Sequence, residues 1–205
     1  MKLIDGVKLK GRPAEIPDCS RDDLPQFFVD MGFKVGAEIG VARGEFSEKL
    51  CKAGLRIYAI DPWIAYRGAG RHARRQVDQD YVYGCAQRLL APYENCTIIK
   101  KTSIDAAKDF RGQSLDFVYI DGDHSFPVIA SDIYEWYFRI RKGGVISGHD
   151  YLCSDPRLTN SLCHVSVIVE AFIKAMRIEN FYIFGHSKPF PNAKIDYYSW
   201  MFFKP

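Results

Sequence analysis

The sequence predicts one α/β domain, doubly wound around a mostly parallel seven-stranded sheet that closes with a C-terminal antiparallel hairpin. Three observations carry this expectation. From Lys34 onward, short apolar runs of strand length alternate with segments of helical period. Most of those runs stop at a glycine or an acidic residue. The last two runs are rich in aromatics and are joined by a Gly/Pro/Asn-containing stretch rather than by a helix, which is a hairpin signal.

Residues 1–33 read as an irregular extension followed by a leading helix over Arg21 to Gly32. Ser20 is its N-cap, and Leu24, Phe27, Phe28 and Met31 share one face. Residues 34–205 then form the core of the single domain. Val35 to Ile39 is a buried strand, and Glu45 to Ala53 a helix stopped by Gly54. Arg56 to Ile60 is a second strand, so a right-handed crossover and parallel pairing follow. Tyr81 to Leu90 is helical, Cys96 to Ile99 a strand and Ile104 to Phe110 a short helix. Leu115 to Ile120 is apolar almost throughout, as a central strand should be. Ser125 caps a helix with Pro127 in its first turn, which Gly143-Gly144 ends before the strand Val145 to Ser147. Val165 to Met176 is the last helix, and Phe181 to Phe184 and Asp196 to Phe203 form the hairpin. An aromatic hairpin at a sheet edge invites cover by a partner, which predicts a homo-oligomer.

Composition narrows the class. With 47% hydrophobic and 26% charged residues among 205, the chain is neither disordered nor collagen-like. Its 28 basic against 25 acidic residues give a net charge of only +3, too small for a nucleic-acid surface. Six cysteines stand with no CxxC pair, so a zinc ribbon is not expected, and a chain with its own core needs no disulfide staples. Free thiols, with neither a signal peptide nor an 18-residue apolar stretch, predict a soluble cytoplasmic protein with no membrane partner.

In a doubly wound sheet, ligands bind at the carboxyl ends of the strands, near the switch in strand order. Those ends carry Glu38 with Gly40 and Gly44, Asp61, Ser103, Asp121 with Asp123 and His124, and His149-Asp150. An acid after four of five strands is more than packing explains, because an unpaired buried carboxylate is costly. The glycine turn is not a dinucleotide fingerprint. Counting from Gly40, Ala42 and Glu45 stand where the second and third glycines would be, and a carboxylate at the helix start repels a pyrophosphate. A nicotinamide-dependent dehydrogenase is therefore disfavoured, and a cofactor without phosphates is expected.

Together these residues resemble class I S-adenosylmethionine-dependent methyltransferases. Gly36 to Gly44 looks like their motif I, and Asp61 like the acid that holds both ribose hydroxyls. Tyr119-Ile120-Asp121-Gly122-Asp123-His124-Ser125 and Gly144-Val145-Ile146-Ser147-Gly148-His149-Asp150-Tyr151 are similar to the small-molecule O-methyltransferase branch, notably the sugar and macrolide enzymes. The resemblance covers roughly Lys34 to the C-terminus and implies the Rossmann-like methyltransferase fold. It implies that Glu38, Gly40, Gly44, Asp61, Ser103 and Asp121 line the cofactor S-adenosylmethionine. Trp63 either covers the adenine or is a buried anchor. Ser103 faces the adenine, caps the following helix, or does both.

Metal-dependent relatives use an aspartate after the fourth strand and an acid or amide pair after the fifth. Asp121, His149 and Asp150 occupy those places, and the histidine moves the preference from Mg²⁺ toward Mn²⁺ or another transition metal. A site with no metal stays open. The resemblance makes Asp123 the first candidate for the base that deprotonates an acceptor hydroxyl, with His124 second. Tyr66 to Arg75 carries four arginines and no acid, either a solvated face or a lid that clamps an anionic small-molecule acceptor. The rivals are a methyltransferase acting on RNA or protein, and a binding protein that keeps the fold without the activity.

Overall fold

The structure is a computed structural model, and it describes residues 1–65, 75–153, 163–185 and 198–205. The chain opens with a single turn, α1 (Leu3–Gly6), and a three-residue strand, β1 (Ala14–Ile16). A 3-10 turn over Arg21–Asp23 leads into α2 (Leu24–Asp30). The alternating core follows as β2 (Val35–Ile39), α3 (Glu45–Lys52), β3 (Arg56–Ile60), α4 (Gln76–Leu90), β4 (Cys96–Ile99) and α5 (Ser103–Ala107). It continues with β5 (Leu115–Ile120), α6 (Phe126–Arg139), β6 (Ile140–Gly148) and α7 (Val165–Ala175), and ends with β7 (Phe181–Phe184) and β8 (Ser199–Phe203).

Among the described residues, eight strands form one sheet in the order β1-β7-β8-β6-β5-β2-β3-β4. β8 pairs antiparallel with both neighbours, while every other pairing is parallel. The expected α/β class and doubly wound winding hold. The chain runs outward from β2 to β4, returns to β5 on the other flank, and so leaves the switch point between β2 and β5.

Two apolar layers sandwich the sheet. On one face Ile129, Ile133 and Trp136 of α6 and Val169 and Ile173 of α7 pack against Val118, Ile120 and Ile146. On the other, Leu24, Phe27 and Phe28 of α2 and Phe46 and Leu50 of α3 cover Phe117, Tyr119 and Val145. Phe28 lies flat on Phe117, with ring centroids 3.9 Å apart.

Several elements differ from the sequence expectation. The sheet has eight strands rather than seven, because Ala14–Ile16 pairs in parallel with Tyr182–Phe184. Between Pro13 and Pro17 there is no room for a readable period, so tertiary pairing alone makes this strand. The hairpin strand β7 is consequently not an edge, and the chain's own β1 covers it. Ser20 does cap the leading helix, through a reciprocal pair with Asp23, but the first turn is 3-10. α4 begins at Gln76, not Tyr81, on a polar first turn that hides its period.

α5 is capped by Thr102, whose hydroxyl accepts from the Asp105 N–H at 3.2 Å, rather than by Ser103. α6 ends at Arg139, and Gly143-Gly144 lie inside β6. A Cβ at Gly144 would meet the Asp116 carbonyl at 2.4 Å, so that glycine permits strand contact at a bulge and does not stop a helix. The expected start of the last strand, Asp196, and the arginine-rich stretch up to Ala73-Arg74 lie outside the described residues, as does most of the 152–162 loop.

Candidate active site

The first turn after β2 is built by its backbone. Gly40 (φ +88°), Ala42 (φ +48°) and Gly44 (φ +90°) all take left-handed conformations. At Gly40 a Cβ would lie 2.2 Å from the Asp121 carbonyl, so only glycine lets the ends of β2 and β5 approach. The Asp121 N–H donates to the Ile39 carbonyl at 2.8 Å and the Gly40 N–H to the Ile60 carbonyl at 3.0 Å, which ties β2, β3 and β5 together at this edge.

Asp61, at the end of β3, braces that turn. Its Oδ2 accepts from the Ala42 N–H at 3.0 Å and its Oδ1 from the Trp63 N–H at 2.8 Å. Burial raises its pKa, and the backbone donors at Trp63, Ala42 and Val41 oppose the rise. A carboxylate is an acceptor-only group with two oxygens, which suits a vicinal diol.

Trp63 is the buried anchor of the two readings: it is 1% exposed and packs among Val41, Val82, Ala86 and Leu90. Its Nε1–H donates to the Ala42 carbonyl at 2.9 Å. It therefore supports the glycine turn from behind.

Glu38 is 2% exposed, under the turn, and accepts a hydrogen bond from the Ser47 hydroxyl. Burial pushes its pKa up to about 8, with Ser47 opposing. Ser103 is turned toward α6: it accepts from Trp136 Nε1 at 2.8 Å and is hydrogen-bonded to Asp132. Asp132 is 1% exposed, its Oδ1 has no hydrogen-bond partner, and burial raises its pKa to about 6.

The ends of β5 and β6 bring the remaining residues together. Among the described residues, ligand atoms of Asp121, His124 and Asp150 lie within 4.8 Å of one another. His124 Nε2 is 3.1 Å from Asp150 Oδ2 and 3.9 Å from Asp121 Oδ1. Burial disfavours the imidazolium, but the two carboxylates outweigh it and lift the His124 pKa to about 10. Asp150 (φ +53°) is pulled well below the usual carboxylate range by His124 and His149, against its burial. His149, expected in the ligand set, places Nδ1 3.2 Å from Asp150 Oδ2, while His124 is the third member of the cluster with Asp121 and Asp150. Asp123 Oδ1 accepts from the Ser125 N–H at 2.7 Å and starts α6.

One contact was not anticipated. Arg21, from the leading turn, donates through Nη1 to Asp121 Oδ2 at 3.1 Å, across 100 positions of sequence. An open cleft of about 420 Å³, lined by Arg12, Pro13, Glu170, Ile173, Lys174 and Phe181, lies elsewhere. Phe181 begins β7 beside β1, so this cleft lies on the β1–β7 flank of the sheet and not at the switch point between β2 and β5.

A methyltransferase-domain family model matches residues 37–151, more than half of the chain and the whole span from the glycine turn to Asp150. No curated protein matches in sequence. Similar solved structures include the N-methyltransferase NodS from Bradyrhizobium japonicum WM9, with TM-score 0.63 and 14% identity, covering 90% of this chain and 94% of that one. An rRNA methylase from Streptococcus thermophilus gives TM-score 0.61 at 13% identity over 91% and 98% of the two chains. An O-methyltransferase from Bacillus cereus in complex with SAH gives 0.58 at 16% over 91% and 83%. At such identities these structures share the fold. With the family model lying over the glycine turn and the strand ends that gather acids, the chain belongs to the methyltransferase-domain family and is a class I S-adenosylmethionine-dependent methyltransferase.

Proposed function

We propose that this protein transfers the methyl group of S-adenosylmethionine to a hydroxyl of a small molecule, with a divalent cation assisting. The observation that supports this most directly is the convergence of Asp121, His124 and Asp150 beside Asp123 at the switch point. The glycine turn and Glu38 line the methionine end of the cofactor, and Asp61 takes the ribose hydroxyls. Ser103, held by Trp136 and Asp132, borders the adenine from the α5 side.

Methyl transfer from a sulfonium is an in-line displacement, so alignment supplies most of the acceleration. The acceptor hydroxyl must also lose its proton. Asp123 is suited to take it on Oδ2, since Oδ1 is fixed by the Ser125 N–H and holds the side chain in place. His124 is a poor base, because its two carboxylate neighbours keep it protonated at neutral pH.

The donor set fits a divalent cation: two carboxylates and an imidazole within 4.8 Å, with His149 beside Asp150. Asp121, His124 and Asp150 would hold it once the His124 imidazolium gives up its proton, and an oxygen-rich set with one nitrogen suits Mn²⁺ as well as Mg²⁺. A bound cation would supply Lewis acidity to the acceptor oxygen.

The test combines calorimetry with S-adenosylmethionine and an assay for S-adenosylhomocysteine release against hydroxylated small molecules, with EDTA, Mg²⁺ or Mn²⁺ added. Turnover that EDTA abolishes and Mn²⁺ restores is expected, with Asp123→Asn binding cofactor but losing at least about 100-fold in rate. Full turnover in EDTA would remove the cation, and release driven only by an RNA fraction would replace the small-molecule acceptor.

A further inference from the structure

The methionyl end of S-adenosylmethionine carries a sulfonium, an ammonium and a carboxylate. The strand ends described above offer carboxylates for the two cationic groups: Asp121, Asp123 and Asp150. They would repel the carboxylate unless a cation stands among them. His124 is engaged between Asp150 and Asp121 on the β6 side. On the β2 side, the cation facing this set is Arg21. It bonds Asp121 at 3.1 Å, neighbours the Tyr119 hydroxyl and Glu38, and has its guanidinium carbon 5.9 Å from the centroid of the Phe46 ring on α3.

Its position is fixed before any ligand arrives. The Ser20–Asp23 cap holds the turn, Asp22 is bound by Lys49 of α3 at 2.6 Å, and Leu24, Phe27 and Phe28 are anchored in the core. A side chain presented this rigidly loses little further entropy on binding. Asp121 uses one guanidinium nitrogen, and the side chain is still 40% exposed, so further N–H donors stay available. Arg21 lies outside residues 37–151, so the family match says nothing about it.

We propose that Arg21 binds the α-carboxylate of S-adenosylmethionine, with Asp121 holding the guanidinium in place on its other side. This rests on the cofactor reading above. It makes the leading turn part of the cofactor site and gives the protein a means of selecting the intact amino acid end of its donor.

Calorimetry with two ligands tests it: S-adenosylmethionine, and decarboxylated S-adenosylmethionine, which keeps the sulfonium, the amine and the adenosine. Wild-type protein should prefer the carboxylate-bearing ligand by roughly ten- to a hundred-fold, the range of a charge-assisted hydrogen bond. Arg21→Gln should remove that preference, weakening S-adenosylmethionine by the same factor and leaving the decarboxylated ligand within about two-fold. Arg21→Lys should keep part of it, and Arg43→Gln, in the glycine turn itself, all of it. Equal weakening of both ligands in Arg21→Gln would overturn the assignment, as would unchanged binding or a preference that follows Arg43. Wild-type protein that binds S-adenosylmethionine without any such preference would overturn Arg21 alone. Wild-type protein that binds neither ligand would overturn the cofactor reading and this role with it.

Discussion

Glu38→Gln should make the apo protein more stable at neutral pH and flatten the fall of its stability with rising pH. In the folded state the Glu38 carboxyl is buried and its pKa is raised from 4.5 to about 8. Between those values the folded protein holds a proton that the unfolded chain has released. The contribution is therefore fully present below pH 4.5 and is lost as pH rises through 8. At about 1.4 kcal/mol per unit, the loss reaches roughly 3 kcal/mol by pH 7. Glutamine keeps an oxygen to accept from Ser47 and cannot ionise, so the variant should not suffer this loss. Urea titrations of both proteins from pH 5 to 8, without cofactor, would show the difference in unfolding free energy growing in favour of the variant. Other groups titrate in the same range: Asp132 between 3.8 and about 6, and His124 between 6.5 and about 10. They are common to both proteins and cancel in the difference. Parallel curves would refute the reasoning, because they would mean that Glu38 is ionised throughout with Arg21 as its counterion.

Two further outcomes follow from the geometry. Lys204→Met should cost roughly 2–4 kcal/mol in a urea titration: the buried ammonium donates to the Tyr137 and Ile140 carbonyls, at 2.9 and 2.8 Å, where α6 passes into β6, and methionine leaves both without that donor. Cofactor affinity should not change with it, and a loss below about 1 kcal/mol would show that water replaces the ammonium there. Asp61→Asn turns an amide N–H₂ toward one of the two backbone donors it now accepts from, so the glycine turn loosens and the ribose contact is lost together; calorimetry should find cofactor affinity reduced by at least about 100-fold, whereas unchanged affinity would place the ribose elsewhere.

What the sequence made legible was the skeleton that brings the strand ends together. Alternating runs and helical periods sufficed to place β2 through β5 and the later part of β6, since each of these strands is buried by a helix close to it in sequence. They located Glu38, Asp61, Asp121 and Asp150 at strand ends, and the switch point then follows from strand order alone. Side-chain direction was less legible. His149 and Asp150 are adjacent, and which of them joins Asp121 and His124 depends on the left-handed backbone at Asp150, for which an aspartate gives only a weak signal. Trp63 had two readings because an indole serves equally well against a ligand or inside a core; the structure shows it buried and bonded to the Ala42 carbonyl. Gly143-Gly144 misled because glycine marks both a helix stop and a close strand contact, and only the nearby Asp116 carbonyl distinguishes the two.

Residues 1–33, read from the sequence as an extension ahead of the core over 34–205, pack into that core, and the same long-range packing is why Arg21 was missed. Leu3, Ala14, Ile16, Leu24, Phe27 and Phe28 share one apolar cluster with Phe117, Tyr119, Val145 and Phe184 of the sheet. Stripping the first 33 residues would expose the β7 edge, uncover Phe117 and remove the cation beside Asp121 in a single step. Contacts of this kind span 100 positions or more, from Arg21 to Asp121 and from Val7 to Tyr182, and local periodicity carries no trace of them. A leading segment that both closes the sheet and reaches the strand ends couples the two: whatever loosens β1 or α2 also shifts Arg21. In this chain, the part that looked least regular therefore sets the charge balance of the site.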